Sequence, residues 1–206
     1  MTANYKDYGY RSADAGYSCS YLLPGIRRML GPPDGAILDL GCGNGAIARS
    51  LLAEGYDVYG VDASESGIEI ASREAKGRFF VMDLSRGHLP AEIATIKFGT
   101  VVSTEVIEHL YAPRGLVAIA RNVLPKGGAF ILSTPYHGYL KNLALAITGK
   151  LDAHYSVLWD GGHIKFFSRR TLEQMLVEQG FLVEQFSGAG RMPLLWRSMI
   201  LKARAI

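Results

Sequence analysis

Cysteine is nearly absent: two residues in 206, Cys19 and Cys42. That excludes a disulfide framework, and their separation matches no metal-ligand spacing. No apolar stretch reaches the about 18 uncharged residues of a membrane span. The first residues, with Asn4, Lys6, Asp7 and Arg11 among tyrosines, lack the apolar core of a signal peptide, so a reducing, cytoplasmic setting is expected. Charge of one sign is also scarce. Twenty-two Lys and Arg against 19 Asp and Glu leave +3, dispersed along the chain, which argues against a dedicated nucleic-acid surface. Repeats, low-complexity tracts and linkers are missing too.

What is present is an ordinary globular composition, 49% hydrophobic and 20% charged, in a length that suits one domain with a real core. An apolar helical stripe over about 17–30 ends at Gly31-Pro32-Pro33. Short apolar runs then alternate with helical patterns. Strands are expected at 36–40, 57–61, 78–82, 97–103, 128–134, 181–186 and 196–203, and helices after Gly45, after Ser64, over 113–124 and over 171–179. Buried strands alternating with helices predict a parallel sheet covered on both faces. The last two strands are too close in sequence for a helical crossover and should pair antiparallel.

One run dominates. Ile37-Leu38-Asp39-Leu40 is an apolar strand around a carboxylate, Gly41-Cys42-Gly43-Asn44-Gly45 a glycine turn, and Ala46 opens a helix. Glycine lets backbone come close to a ligand. The spacing G-x-G-x-G differs from the G-x-G-x-x-G of dinucleotide sites, and the adjacent Asp39 suits a ligand carrying an amine or positive charge. Cys42 is a small filler in the turn. In an open parallel sheet, ligands bind outside the carboxyl ends of strands where the winding reverses. Asp39, Asp62 and Asp83 end three successive strands and should border that crevice. Asp62, about 20 residues beyond the glycine loop, is placed to accept ribose hydroxyls. The competing role of such acids is to cap the next helix.

Asp39-Leu40-Gly41-Cys42-Gly43-Asn44-Gly45 resembles the first motif of the class I S-adenosylmethionine-dependent methyltransferases, and the resemblance continues almost to the C-terminus. It implies an α/β fold: a single doubly wound, Rossmann-like seven-stranded sheet, mostly parallel with the last strand antiparallel, and helices on both faces. The domain spans 1–206, with an N-terminal helical cap over 1–33 and an acceptor-side insertion over 136–162. It implies S-adenosyl-L-methionine as cofactor and S-adenosyl-L-homocysteine as product. Asp62 would hold the ribose and Asp83-Leu84 flank the adenine. Tyr21, Gly41, Cys42, Gly43, Ala63, Thr104 and Glu105 complete the implied cofactor-binding set.

The acceptor side centres on Ser103-Thr104-Glu105-Val106-Ile107-Glu108-His109-Leu110. If this segment is helical, Glu105, Glu108 and His109 share one face. Three readings stand. The carboxylates and imidazole bind a divalent cation, Mg2+, with His163 joining. Or His109 is a general base with its tautomer set by Glu108. Or Glu105 touches the cofactor while His109 is satisfied locally. Glu105-Val106-Ile107-Glu108-His109 with the later His163-Ile164-Lys165-Phe166 resembles two groups. They are the O-methyltransferases of ubiquinone biosynthesis and the small-RNA 3′-end 2′-O-methyltransferases, in which two glutamates and two histidines hold magnesium. Both point to oxygen as acceptor, with Glu108, His109 and His163 as catalytic candidates. A hydroxyl needs a base or a metal to become a nucleophile, whereas nitrogen or carbon acceptors need neither.

Two further segments should shape the acceptor pocket: the tyrosines Tyr5, Tyr8, Tyr10, Tyr17 and Tyr21, as a lid or as helix packing, and the 136–162 insertion. Tyr136 and His137 are candidate acceptor contacts. Leu140–Leu151, apolar with lysines near both ends, reads as a surface helix that covers the pocket or lies on a membrane interface. The partner expected is a small-molecule acceptor rather than nucleic acid, with oligomeric state open. A nicotinamide oxidoreductase lacks its third glycine here, and a non-catalytic cofactor binder would have lost the site residues.

Overall fold

The computed structural model describes residues 8–155 and 157–206; Tyr5 lies outside them. Seven strands form one sheet: β1 (Ala36–Leu40), β2 (Asp57–Asp62), β3 (Phe79–Val81), β4 (Phe98–Thr104), β5 (Ala129–Pro135), β6 (Phe181–Ala189) and β7 (Ser198–Ala205). Their order is β3-β2-β1-β4-β5-β7-β6. β1 to β5 are parallel, and β7 runs antiparallel between β5 and β6. The winding therefore reverses between β1 and β4, which places the ligand crevice of a doubly wound sheet at their carboxyl ends.

Alternation along each strand feeds two cores. Leu38, Leu40, Val101, Phe130, Leu132 and Leu201 face α4 (Pro113–Val123) and α7 (Arg169–Glu178), where Leu116, Val117, Leu172 and Leu176 pack. Ile37, Val58, Val102, Ile131 and Ile200 face α1 (Tyr17–Leu30), α2 (Ala46–Ala53) and α3 (Glu65–Glu74), meeting Leu22, Ile26, Leu51 and Ile68. Phe98, Phe130 and Phe181 are fully buried. Truncating such a phenylalanine to alanine costs roughly 3–5 kcal/mol, so both layers are needed to hold the sheet.

The insertion folds as α5 (Tyr139–Ile147) and α6 (Leu151–Tyr155). This corrects the expectation of one surface helix over Leu140–Leu151. Gly149 adopts φ +64° between them, a left-handed conformation that ends the first helix. Lys141, expected at a wet helix end, is buried at 5% exposure because backbone carbonyls of Tyr136 and Arg197 take its ammonium. Among the described residues, no helix is long and apolar enough to cross a membrane.

Candidate functional site

The turn after β1 is tied down from both sides. The Gly41 and Cys42 amides donate to the Val61 carbonyl at 2.8 and 3.0 Å, and Gly45 donates to Cys42 at 2.9 Å. Gly41, Gly43 and Gly45 all sit at positive φ (81°, 55° and 75°), where a side chain would be strained. A β-carbon on Gly43 would also run into the Tyr10 ring and hydroxyl. Asp62, the last residue of β2, accepts the Gly43 amide on one carboxylate oxygen and the Ser64 amide on the other, each at 2.8 Å. Ser64 in turn caps α3 through the Gly67 amide.

Asp39 is 2% exposed and its Oδ1 meets no hydrogen-bond partner. Burial, and then the charge of Asp62, push its carboxyl up to about 7. A buried acceptor left empty at the winding switch calls for a donor from a ligand. Together with the glycine turn and Asp62, it fits a nucleoside-bearing cofactor with an ammonium group. Asp83 accepts the Ser85 amide at 2.8 Å and caps the single 3-10 turn Leu84–Arg86, and Leu84 packs on the α4-side core. Ala63 and Thr104 are half-buried at the ends of β2 and β4.

The Glu-x-x-Glu-His segment is not one helical face. Glu105 takes φ +53°, and only Ile107–His109 form a 3-10 turn. The cause is tertiary. The Glu105 amide donates to Ser133, and its carboxyl accepts from the hydroxyls of Ser133 (2.7 Å) and Ser198 (3.0 Å). The Tyr21 hydroxyl completes that network 3.3 Å from Ser198 Oγ. Burial raises the Glu105 carboxyl to about 7.

Glu108, His109 and His163 do come together, their ligand-capable atoms within 4.8 Å of one another. Glu105 stays outside that group. Glu108 is fully buried, with Oε2 accepting from Thr134 Oγ1 at 3.0 Å and Oε1 lacking any hydrogen bond, 4.0 Å from His163 Nε2. Burial and Glu105 raise its pKa. The Glu108 carbonyl holds the amides of Ile164 and Lys165, which brings His163 to the site. His109 Nδ1 lies 2.9 Å from the Gly161 carbonyl. A carbonyl only accepts, so Nδ1 carries the proton and Nε2 keeps its lone pair. Gly161, rather than Glu108, therefore sets the tautomer. Burial lowers the pKa of His109, and burial with His109 lowers His163 to about 4, so both rings are neutral near pH 7.

Two covering segments meet above this crevice. The Tyr10 amide donates to Ser66 Oγ at 3.0 Å, laying the N-terminal segment across the glycine turn. The Tyr8 ring packs on Tyr10 (4.8 Å) and edge-on to Trp159 (5.9 Å), which also contacts His109 (5.8 Å). Tyr17 packs on Tyr21 at the start of α1. Tyr136 packs on Trp196 at 5.1 Å, and His137 is buried among His154, Tyr155 and Phe166. Sequence reasoning missed Thr134, Ser133, Ser198, Gly161 and Trp159. Trp159, one of only two tryptophans and adjacent to Gly161-Gly162-His163, carried the one local signal.

A family profile described as a methyltransferase domain matches residues 15–185. The chain is 29% identical over 194 residues to the ubiquinone biosynthesis O-methyltransferase of Psychrobacter arcticus, covering 90% of this chain and 70% of that protein. With the enzyme of the same name from Dinoroseobacter shibae it shares 31% over 149 residues, 70% of this chain and 58% of the relative. Among solved structures, it is similar to a Pyrococcus horikoshii protein, with TM-score 0.71, 20% identity, and 96% and 95% of the two chains covered. It is also similar to magnesium protoporphyrin IX methyltransferase from Synechocystis with bound SAH, with TM-score 0.64, 20% identity, and 90% and 80% covered. At these identities the structural likeness is one of fold.

Proposed function

The chain belongs to the methyltransferase-domain family and is an S-adenosylmethionine-dependent methyltransferase; on that premise, we propose that it methylates a hydroxyl oxygen of a small-molecule metabolite. The carrying observation is His109, held by the Gly161 carbonyl as a neutral imidazole whose Nε2 carries the lone pair, beside the buried carboxyl of Glu108. The names of its curated relatives support oxygen as well.

When bound, S-adenosylmethionine supplies an electrophilic methyl group on a sulfonium. Asp39 offers its unpaired oxygen to the cofactor's ammonium. Asp62, which ends β2 against the glycine turn, accepts from the ribose hydroxyls. The glycine turn admits the cofactor close to backbone, and Asp83-Leu84 border the base. On the acceptor side, His109 Nε2 takes the proton of the hydroxyl as the oxygen attacks, and the Gly161 carbonyl, which accepts from Nδ1, steadies the resulting imidazolium. Tyr8, Tyr10 and Trp159 exclude water and align the acceptor, the largest contribution a methyl displacement needs.

A labelled-cofactor assay on metabolite extract, with the labelled carbon located by NMR, tests the proposal. A methyl on oxygen is expected, and one on nitrogen or carbon overturns it.

A second reading has its own observation: Glu108 Oε1 is a buried, unpaired oxygen beside two neutral imidazoles. Glu108, His109 and His163 would hold a divalent cation, which lowers the pKa of a bound hydroxyl. Two imidazoles and one carboxylate suit zinc better than the all-oxygen preference of Mg2+. Activity that survives EDTA excludes this route. Exposed Leu140, Leu143 and Ile147 on α5 further support peripheral contact with a membrane interface.

A further inference from the structure

Beyond the methyl-transfer groups, the rim of β5 gathers basic side chains that form no salt bridge among the described residues. Lys141 is 5% exposed, and its Nζ donates to the carbonyls of Tyr136 (2.8 Å) and Arg197 (3.4 Å). An ammonium has three protons, so one donor position remains. The Arg197 guanidinium lies 4.7 Å over the Tyr17 ring, and its Nε is buried without a hydrogen bond. His137 is 7% exposed, and neither of its ring nitrogens completes a hydrogen bond. Asn142, one helical turn and a residue further on, turns its amide toward that ring. Among the described residues, no carboxylate pairs with Lys141, Arg191 or Arg197.

These groups sense one another. Burial, then Arg191 and Arg197, push Lys141 down to about 8. Burial, Lys141 and Arg191 lower His154, and burial followed by Lys141 and His154 takes His137 to about 4. Among the described residues, the acid acting on Lys141 is Glu105, whose carboxyl is already occupied by two serine hydroxyls and pushed up toward neutrality by burial. Buried cations are ordinarily paired, and an uncompensated one is costly. Among the described residues no further acid stands beside Lys141, which leaves room for an anion carried by a ligand. Tyr155, at 6.0 Å and nearly parallel to the His137 ring, and Phe166, edge-on at 5.2 Å, wall the space with aromatic faces.

We infer that His137, Lys141, His154, Arg191 and Arg197 form a subsite for an anionic group, carboxylate or phosphate, carried by the methyl acceptor. The inference rests on the proposed reading of this crevice as the acceptor pocket. It narrows the substrate class to hydroxyl compounds with an acidic end. The charged end sits against α5, and the hydroxyl lies toward His163 and His109, since the segment that carries His163 also brings Phe166 edge-on to His137 at 5.2 Å.

The test is calorimetry on the full chain saturated with S-adenosylhomocysteine, titrating benzoate, phenyl phosphate and the neutral benzamide as probes. At least one anion should bind tenfold or more tightly than benzamide, and which one does so separates carboxylate from phosphate. Arg191→Gln, at an exposed position, should cut that preference at least threefold, and Lys141→Met, its fold checked by circular dichroism, should abolish it. Equal binding of all three probes overturns the inference, and repeating the titration without S-adenosylhomocysteine keeps the comparison independent of cofactor binding. A second arm compares S-adenosylhomocysteine with 5′-methylthioadenosine, which lacks the amino-acid end. Unchanged relative affinity in both variants supports an acceptor-borne anion. Selective loss of S-adenosylhomocysteine means that the cofactor's carboxylate occupies the subsite, which overturns the acceptor assignment. Failure of wild-type protein to bind S-adenosylhomocysteine strikes the methyltransferase reading instead, while the probe titration still decides the subsite.

Discussion

Asp62 accepts the backbone amide of Gly43 at 2.8 Å, so the acid at the end of β2 shapes the glycine turn as well as facing the crevice. Its other oxygen takes the Ser64 amide at the start of α3. Asp62→Ala therefore removes two charge-assisted hydrogen bonds at once, each worth about 1.5–3 kcal/mol. Affinity for S-adenosylhomocysteine should fall at least tenfold and the melting temperature should drop by several degrees. Asp62→Asn keeps one acceptor and should lie between. Calorimetry and thermal melts check both, and unaltered affinity in the alanine variant would remove Asp62 from the cofactor site.

Asp39 makes a pH prediction. Its folded-state carboxyl titrates near 7, raised from 3.8 by burial and Asp62. In free protein below pH 7 the group is protonated and offers no charge to an ammonium. Cofactor binding favours the carboxylate and expels that proton. Affinity for S-adenosylhomocysteine should therefore rise with pH up to about 7, by as much as tenfold per unit, and level off above. Asp39→Asn should bind weakly and lose the slope. A slope that survives in Asp39→Asn assigns the titration to another group.

The sign for stability is opposite. A carboxyl raised in the folded state binds its proton more tightly there than in the unfolded chain, so this contribution is present at low pH and lost between about 4 and 7. His163, lowered from 6.5 to about 4, contributes the reverse slope over much of the same window. Glu105, also raised to about 7, adds to the first slope and His137, also lowered to about 4, adds to the second. The ligand-free protein should therefore show a flatter profile than the carboxyls alone would produce, whereas His163→Asn should lose stability more steeply than wild type as pH rises from 5 to 7. Denaturant titrations at several pH values measure this, and an unchanged slope in the variant refutes it.

His109→Gln tests the division of labour. Glutamine can still donate to the Gly161 carbonyl but supplies no base. Turnover should fall 10²–10⁴-fold with cofactor affinity nearly intact, since general-base catalysis contributes on that order. Equal losses in turnover and cofactor affinity would make His109 a structural residue.

The strand, glycine turn and helix at the head of the crevice were legible in sequence because their signals are local. Strand periodicity gives way to helical periodicity across Gly41–Gly45, with acids at fixed distances beyond. The acceptor half was less so. Nothing within Thr104–Leu110 announces the left-handed Glu105, because the serines that hold it are 28 and 93 residues away. Burial of Lys141 depends on a carbonyl 56 residues distant, and the His109 tautomer on one 52 residues distant. Asp83 shows the limit of local inference in another way: in the structure its carboxylate caps the following turn, the competing role such an acid can play.

Trp159 joins the two covering segments, with Tyr8 at 5.9 Å on one side and His109 at 5.8 Å on the other. Each edge-to-face pair is worth about 0.5–1.5 kcal/mol, enough to bias closure but too little to support the fold. Trp159 is also 43% exposed, so truncating it leaves no large cavity. Trp159→Ala should therefore keep the melting temperature within about two degrees while raising the acceptor KM several-fold and speeding cofactor exchange. Stopped-flow release of a fluorescent S-adenosylhomocysteine analogue reads the exchange directly. Wild-type exchange and KM in the variant would show that the Tyr8–Trp159 contact does not gate the crevice; loss of fold would show that it belongs to the core rather than the cover.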